Sequence, residues 1–361
     1  MRIGIDARLY SQTGVGRYIR NLVAFLGILD KENEYVVFLI KEDFDGFKVP
    51  NERWSKVLAD YRWHGIIEQV MMVVKLTGYD LNLVHFPYFN VPLFYFGKYI
   101  ITVHDLIHLH VDTGRASTLP RFLYRFKKMA MRIVLKNGLR KAEKVICVSE
   151  ATKEDVLRNF DISGDKIKVI YEGVDEKIVK GGGENKVKKF GRYILYVGNA
   201  YPHKNLKRLV KVFFKVRKED KDVKLLLVGP DDFFYRRLKE EVKDEGVVFY
   251  GPAKDGELSE LYGGAEFLVL PSLMEGFGLV GLEAMSLGCL VLASDISVLR
   301  EVYGDGAVYF NPKETDDIYR KMNEALKRKN EMIIKKGGEV AGKYSWEKMA
   351  RETFEVYRLI R

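Results

Sequence analysis

Short apolar, β-branched runs alternate with stretches of helical periodicity along nearly the whole chain. In the first half the runs are Arg2–Asp6, Tyr35–Ile40, Asn82–His85, Tyr99–Val103, Lys144–Val148 and Ile167–Ile170. Between them, apolar positions recur at helical spacing near Val15–Leu29, Ile66–Leu76, Leu119–Leu139 and Glu150–Phe160. Such alternation predicts parallel βαβ units wound into an open α/β sheet. Lys180-Gly181-Gly182-Gly183-Glu184-Asn185 then has the most linker-like composition in the chain. The alternation restarts with strands Tyr193–Val197, Lys224–Val228, Val247–Tyr250, Phe267–Leu270 and Leu290–Ala293. Helices at Leu206–Lys218, Phe233–Val242, around Leu258–Tyr262 and after Glu275 separate them. Thr315 to Arg361 reads as helices broken at Gly337-Gly338.

The pattern therefore predicts two Rossmann-like, doubly wound domains, 1–174 and 191–345, joined by a linker at 175–190. A C-terminal helix over 346–361 is expected to pack back on the first domain. Two such sheets leave a cleft between their carboxyl ends, where ligands of open α/β folds bind. At 361 residues, two domains is also the prior set by length.

Composition is that of a globular protein, 47% hydrophobic and 30% charged. Cys147 and Cys289 lie far apart inside apolar runs, which suggests buried thiols in a reducing compartment. The N-terminus enters a strand directly, and the apolar stretch Leu83 to Val103 is interrupted by Pro87, Asn90, Pro92 and Lys98, so no leader and no membrane span is expected. A formal charge of +10 points to anionic partners. Zinc-finger spacing, an aromatic nucleic-acid signature and a basic tail are all missing from the sequence, so nucleotide-linked substrates or an anionic membrane surface suit that charge better than nucleic acid.

The most informative stretch is Glu275-Gly276-Phe277-Gly278-Leu279-Val280-Gly281-Leu282-Glu283. It follows a buried-strand pattern and opens a helix. Unpaired N–H groups and the positive end of the helix dipole then meet at one spot, a site for phosphate or another anion. Eight residues at about 100° each would leave the two carboxylates roughly 80° apart if both were helical. The assignment therefore needs Glu275 in the turn and Glu283 on the helix. Alternatively the segment is an amphipathic helix with two solvated glutamates.

Gly198-Asn199-Ala200-Tyr201-Pro202-His203-Lys204-Asn205 likewise closes a strand and starts a helix, and Lys204 adds a cation suited to a diphosphate. Gly229 and Gly251 end the neighbouring strands. Four such ends at one sheet edge favour a nucleotide site. Thr13-Gly14-Val15-Gly16 is a glycine loop opening the first helix, but Ile19 stands where a dinucleotide fingerprint needs a third glycine. His104-Asp105-Leu106-Ile107-His108-Leu109-His110 follows a strand; it suggests a ligand-contacting His104 rather than a metal site, because no second cluster supplies partners. Asp43-Phe44-Asp45 reads as a solvated loop. From Thr118 to Lys144, nine cations and the single acid Glu143 interleave with apolar residues at helical spacing. That segment is either a helix lying on anionic lipid or one with a core-facing apolar side and a solvated basic side.

With these motifs the chain resembles the retaining glycosyltransferases of GT-B fold, the "glycosyl transferases group 1" family, over nearly its whole length. The carriers are the Glu275…Glu283 motif, Pro202-His203-Lys204-Asn205, the glycine loop, His104-Asp105 and Val148-Ser149-Glu150-Ala151-Thr152. The resemblance implies that Glu283 holds the donor ribose and Glu275 sits by the hexose. It implies diphosphate binding by Lys204 and by backbone near Gly278 and Leu279, with Gly276 and Phe277 in the same donor loop. Gly14 and Gly16 would lie under the donor, Gly198 and Asn199 would close the strand-end turn, and His104 would contact the transferred sugar. Many members carry Arg where this chain has Asn199; Arg17 is a candidate replacement. No bound metal and no cofactor beyond the sugar nucleotide is implied.

The expected activity is α-retaining, metal-independent transfer of a hexose, taken as mannose from GDP-mannose with UDP-linked donors open, to a glycan or lipid-linked glycan. This points to polysaccharide or lipopolysaccharide biosynthesis, in the cytoplasm or at the inner membrane face. A sugar-nucleotide epimerase of the same fold and a non-catalytic binder of anionic surfaces are the alternatives.

Overall fold

The computed structural model describes residues 1–12, 14–61, 65–111, 121–174, 189–328 and 330–360, without the side chains of 66, 121–125 and 127. Thr13, most of the 175–190 linker and the start of the basic stretch at 118–120 lie outside the described residues. The chain divides into two compact units. One comprises Met1–Leu109, Leu119–Gly173 and Ser345–Arg361, and the other comprises His110–Thr118 and Val174–Tyr344.

In the first unit the elements run β1 (Arg2–Asp6), α1 (Gly14–Leu29), β2 (Glu34–Leu39), α2 (Lys41–Phe44), β3 (Trp54–Leu58), α3 (Ile66–Thr77) and β4 (Leu83–Phe86). They continue with β5 (Tyr99–Val103), α4 (Ile107–His110), α5 (Arg121–Lys141), β6 (Lys144–Cys147), α6 (Glu150–Asn159) and β7 (Ile167–Val169). The strands form one sheet in the order β3-β2-β1-β4-β5-β6-β7, every pairing parallel. Sequence order reverses between β1 and β4.

The second unit holds β8 (Tyr193–Val197), α7 (Leu206–Glu219), β9 (Lys224–Val228), α8 (Phe233–Glu241), β10 (Val247–Gly251) and α9 (Asp255–Gly264). It continues with β11 (Phe267–Leu270), α10 (Leu279–Ser286), β12 (Val291–Ser294), α11 (Ser297–Tyr303), β13 (Val308–Phe310), α12 (Thr315–Lys327) and α13 (Glu331–Ala341). Its sheet, β10-β9-β8-β11-β12-β13, is also parallel and reverses between β8 and β11. The last helix, α14 (Trp346–Arg358), belongs to the first unit and packs on α1.

Burial explains the apolar runs. A parallel strand covered on both faces has no polar side to show, and all five residues of β5 and all four of β11 are buried. In the first unit Val36, Phe38, Met72, Leu76, Val84, Leu135 and Leu139 join one core between the sheet and helices α3 and α5. On α14, Tyr357 meets His85 Nδ1 at 2.7 Å, and the Trp346 ring sits edge-on to Tyr18.

The structure departs from the pattern-based reading at several points. Strands β3 and β13, each at one edge of its sheet, carry no strong signal. Polar Ser55 and Lys56 interrupt β3, and β13 is three residues long. Asp43 and Phe44 belong to the short helix α2, so the Asp43–Asp45 segment is not simply a loop. Gly337-Gly338 does not break a helix. Both glycines lie inside α13, where a Cβ on Gly337 would come within 3.1 Å of the Met285 side chain and 3.2 Å of the Gly306 carbonyl. Close packing accounts for glycine at 337, whereas a Cβ on Gly338 would make only an ordinary contact, with the Met285 carbonyl at 4.0 Å.

Candidate functional site

Strands β8 and β11 flank the topological switch of the second unit, and the loops that leave their carboxyl ends are tied together. Gly198 closes β8 at φ 146°, a conformation that favours glycine, and its N–H donates to the Val228 carbonyl at 2.9 Å. The chain then makes a 3-10 turn at Pro202–Lys204 that ends on Asn205 in the left-handed region. From there Asn205 Nδ2 donates to the Pro271 carbonyl at 3.1 Å and to the Pro312 carbonyl at 2.9 Å. The Leu273 N–H donates to the His203 carbonyl at 2.7 Å. Residues 202–205 are thus fastened to the loop after β11.

That fastening brings Lys204 onto Glu275. The Lys204 ammonium reaches both carboxylate oxygens, at 2.7 and 2.8 Å, and the Ser272 hydroxyl donates to one of them at 2.6 Å. Both side chains are more than four-fifths covered. Burial alone would raise the Glu275 carboxyl; the Lys204 charge, the bonds from Lys204 and Ser272, and His203 outweigh it and hold the group below the ordinary carboxylate range. His203 is pushed down to about 4, first by burial and then by the adjacent Lys204 charge, against a smaller opposing pull from Glu275. It is therefore neutral at physiological pH.

Glu275 lies in the turn before α10, and Glu283 lies on the helix. The N-cap of α10 is Gly278, at φ 93° and without a side-chain cap. A Cβ there would come within 2.4 Å of the Tyr303 hydroxyl, which donates to the Gly278 carbonyl at 2.5 Å. The turn is thus built for glycine and braced by a tyrosine from α11. Its leading N–H groups, those of Leu279 and Val280, lie at the positive end of the helix, while the Gly281 N–H is taken up by the Tyr303 hydroxyl and the Gly278 carbonyl. Phe277 is buried edge-on against Tyr344, and Gly276 is half-buried beside Glu275. Glu283 is only 1% exposed and accepts a hydrogen bond from the Tyr262 hydroxyl at 3.1 Å. The sequence reading missed Ser272, Tyr262 and Tyr303. Ser272, three residues before Glu275, has a sequence signal in its spacing, whereas the tyrosines come from other elements and have none.

Asn199 does not stand in for an arginine. Its side-chain oxygen accepts the Tyr201 N–H at 3.3 Å, and its carbonyl accepts the Tyr196 hydroxyl at 2.6 Å. At the neighbouring strand end the Gly229 N–H donates to the Gly251 carbonyl at 3.0 Å.

The first unit holds the remaining candidates. Gly14 starts α1 with open space around it, whereas a Cβ on Gly16 would meet the Tyr10 carbonyl at 2.5 Å and the Leu9 carbonyl at 2.8 Å. Packing of the preceding loop already demands glycine at 16. His104 is buried, with Nδ1 at 2.9 Å from Glu172 and Nε2 at 2.9 Å from the Pro87 carbonyl, and Tyr18 lies edge-on to its ring. Both ring nitrogens are committed within the protein. His108 stacks on Phe89, and Asp105 accepts the Ile107 N–H, so the His104–His110 segment disperses its polar groups. Among the described residues, no group of three His, Cys, Asp or Glu side chains is placed to hold a metal ion.

A family model described as Glycosyl transferases group 1 matches residues 183–339, and one described as Glycosyltransferase Family 4 matches residues 13–177. The chain is 24% identical to O-antigen chain mannosyltransferase B of Escherichia coli, over 97% of each chain. Sucrose-phosphate synthase from Thermosynechococcus elongatus shares the fold at TM-score 0.82, with 19% identity over 100% of this chain and 99% of that one. HepE of Anabaena, solved with UDP and glucose, aligns at TM-score 0.76, with 16% identity over 99% of each chain.

Proposed function

The chain is a GT-B glycosyltransferase of the group 1 family, and from that premise we propose that it moves a hexose, mannose from GDP-mannose, to a glycan or lipid-linked glycan acceptor with retention of the α configuration and without a metal ion. The observation that carries the reading is the Lys204–Glu275 pair beside the uncapped start of α10, at the carboxyl ends of the two strands flanking the switch point. The mannose assignment takes its support from the Escherichia coli relative. The UDP complex of HepE supports a nucleotide-linked donor in general. A cytoplasmic place of action goes with such a donor.

In this reading the sugar C1–O bond to the distal phosphate breaks while negative charge grows on the leaving diphosphate. Lys204 and the N–H groups around Gly278 and Leu279 stabilise that charge, a task that in other enzymes falls to a metal. Glu275 shares Lys204 with the diphosphate and turns its carboxylate to the hexose hydroxyls. Glu283 holds the ribose. The acceptor hydroxyl forms its bond to C1 on the face the phosphate leaves, and its proton passes to the departing phosphate oxygen.

A thermal-shift panel of GDP-, UDP- and ADP-sugars tests site and base together. The reading expects the largest stabilisation from GDP-mannose. A larger shift with UDP-glucose would reassign the donor, and no shift with any sugar nucleotide would overturn the function.

A further inference from the structure

Helix α3 is apolar on two sides. Met72 and Leu76 face the core, with Glu68 buried on the same stripe and paired to Arg8 at 3.0 Å. Ile67, Val70, Met71 and Val74 form a second stripe at helical spacing, and all are exposed, Ile67 by 73% and Val74 by 61%. At about 100° per residue this stripe points away from the buried one. A helix that meets only water carries polar residues there.

Helix α5 repeats the arrangement. Leu135 and Leu139 are buried, while Phe126, Met129 and Ile133 are exposed on the opposite side. Arg132, Lys136 and Arg140, four residues apart and exposed, follow one flank of that exposed stripe.

The two helices cover the same side of the sheet, because Met72, Leu76, Leu135 and Leu139 belong to one core. The segment between β4 and β5 bridges them. The Leu93 N–H donates to Gln69 of α3 at 2.9 Å, and Val91 packs against Gly138 of α5. This bridge ends in exposed Phe94 and Phe96, with the Lys141 ammonium 4.9 Å from the Phe96 ring centre.

We propose that α3, the Phe94–Phe96 tip and α5 form one docking surface for an anionic lipid bilayer. The aliphatic and aromatic stripes enter the boundary between headgroups and acyl chains, and the α5 cations meet lipid phosphates, as interfacial helices do. Charge selects this occupant. Residues 87–98 and 121–141 contain no Asp or Glu, and the one acid of α3, Glu68, is buried. A second copy of the chain would bring cations against cations. No crossing segment is needed, and among the described residues no helix is long and apolar enough to cross a membrane. The surface is independent of the donor reading, since it uses no residue assigned to the sugar nucleotide.

Co-sedimentation with sucrose-loaded vesicles tests it. The chain is expected to pellet with phosphatidylcholine/phosphatidylglycerol vesicles and to stay in solution with phosphatidylcholine alone. At roughly 1 kcal/mol per surface cation, Arg132→Ser with Lys136→Ser weakens binding about thirtyfold. Val70→Ser with Val74→Ser weakens it about tenfold or more through lost apolar burial. Circular-dichroism melts and the sugar-nucleotide thermal shift should be unchanged in both variants, separating a failed surface from a failed fold or a failed donor reading. Equal binding to neutral and anionic vesicles, or none to either, overturns the proposal. So does a concentration-dependent dimer in light scattering that the Val70/Val74 change dissolves.

Discussion

Lys204 and Glu275 are held by atoms from two loops, so replacing the lysine separates chemistry from folding. Lys204→Ala leaves a carboxylate more than four-fifths covered and without its cation, and donor turnover should fall roughly 100- to 1000-fold, the usual effect of removing one donor aimed at developing charge. Steady-state release of the nucleoside diphosphate measures this, and near-normal turnover would remove Lys204 from the leaving-group site. Glu283→Gln keeps the side-chain volume beside Tyr262 while removing the charge. Weaker nucleotide binding with a melting temperature within a few degrees is expected, and unchanged affinity would contradict the ribose role. Motif spacing singles out Lys204, Glu275 and Glu283 in the sequence, and the structure pairs the first two. The ones that escaped, Tyr262 and Tyr303, act through contacts 21 and 25 residues away in the chain.

At the scale of the element, α10 depends on its glycine cap. Gly278→Ala introduces a Cβ at positive φ and within 2.4 Å of the Tyr303 hydroxyl. A cost of about 1–3 kcal/mol follows, a drop of roughly 2–4 °C in melting temperature per kcal/mol for a domain of this size. Differential scanning calorimetry checks it; a neutral effect would mean that the turn relaxes freely. Elements were legible where burial on both faces leaves an unbroken apolar run, as in β5 and β11. They were less legible in β3, where Ser55 and half-buried Lys56, whose ammonium donates to the Phe44 and Phe47 carbonyls, interrupt the apolar run. Gly337-Gly338 misled for a related reason, because a glycine required by tight packing on Met285 and Gly306 looks in sequence like one required by a turn.

For the whole molecule, the doubly wound class of both sheets followed from alternation, whereas their strand order and the partner of each buried polar group did not. Two of those groups set an acid limit. Burial and neighbouring His104 push His85 down to about 3, and His203 is pushed down to about 4, both from an ordinary 6.5. The unfolded chain therefore binds more protons than the folded one below pH 6.5, and stability falls as pH drops through that window. Each histidine costs about 2 kcal/mol at pH 5. Glu275, whose folded carboxyl lies below its ordinary 4.5, adds a loss in the same direction at lower pH. Melting temperatures between about pH 7 and pH 5 should fall, and His85→Gln should flatten the slope; a flat profile in the parent chain would mean that these histidines accept protons while folded.

The central claim is that a nucleoside diphosphate binds at Lys204, between the ends of β8 and β11. Isothermal titration of GDP and GMP into the parent chain and Lys204→Ala tests it most directly. The account predicts that the variant loses about tenfold or more in GDP affinity, the scale of one charge-assisted contact to phosphate, with GMP affinity changed little. Equal GDP affinity in the two proteins, or no GDP binding by the parent chain, would contradict it.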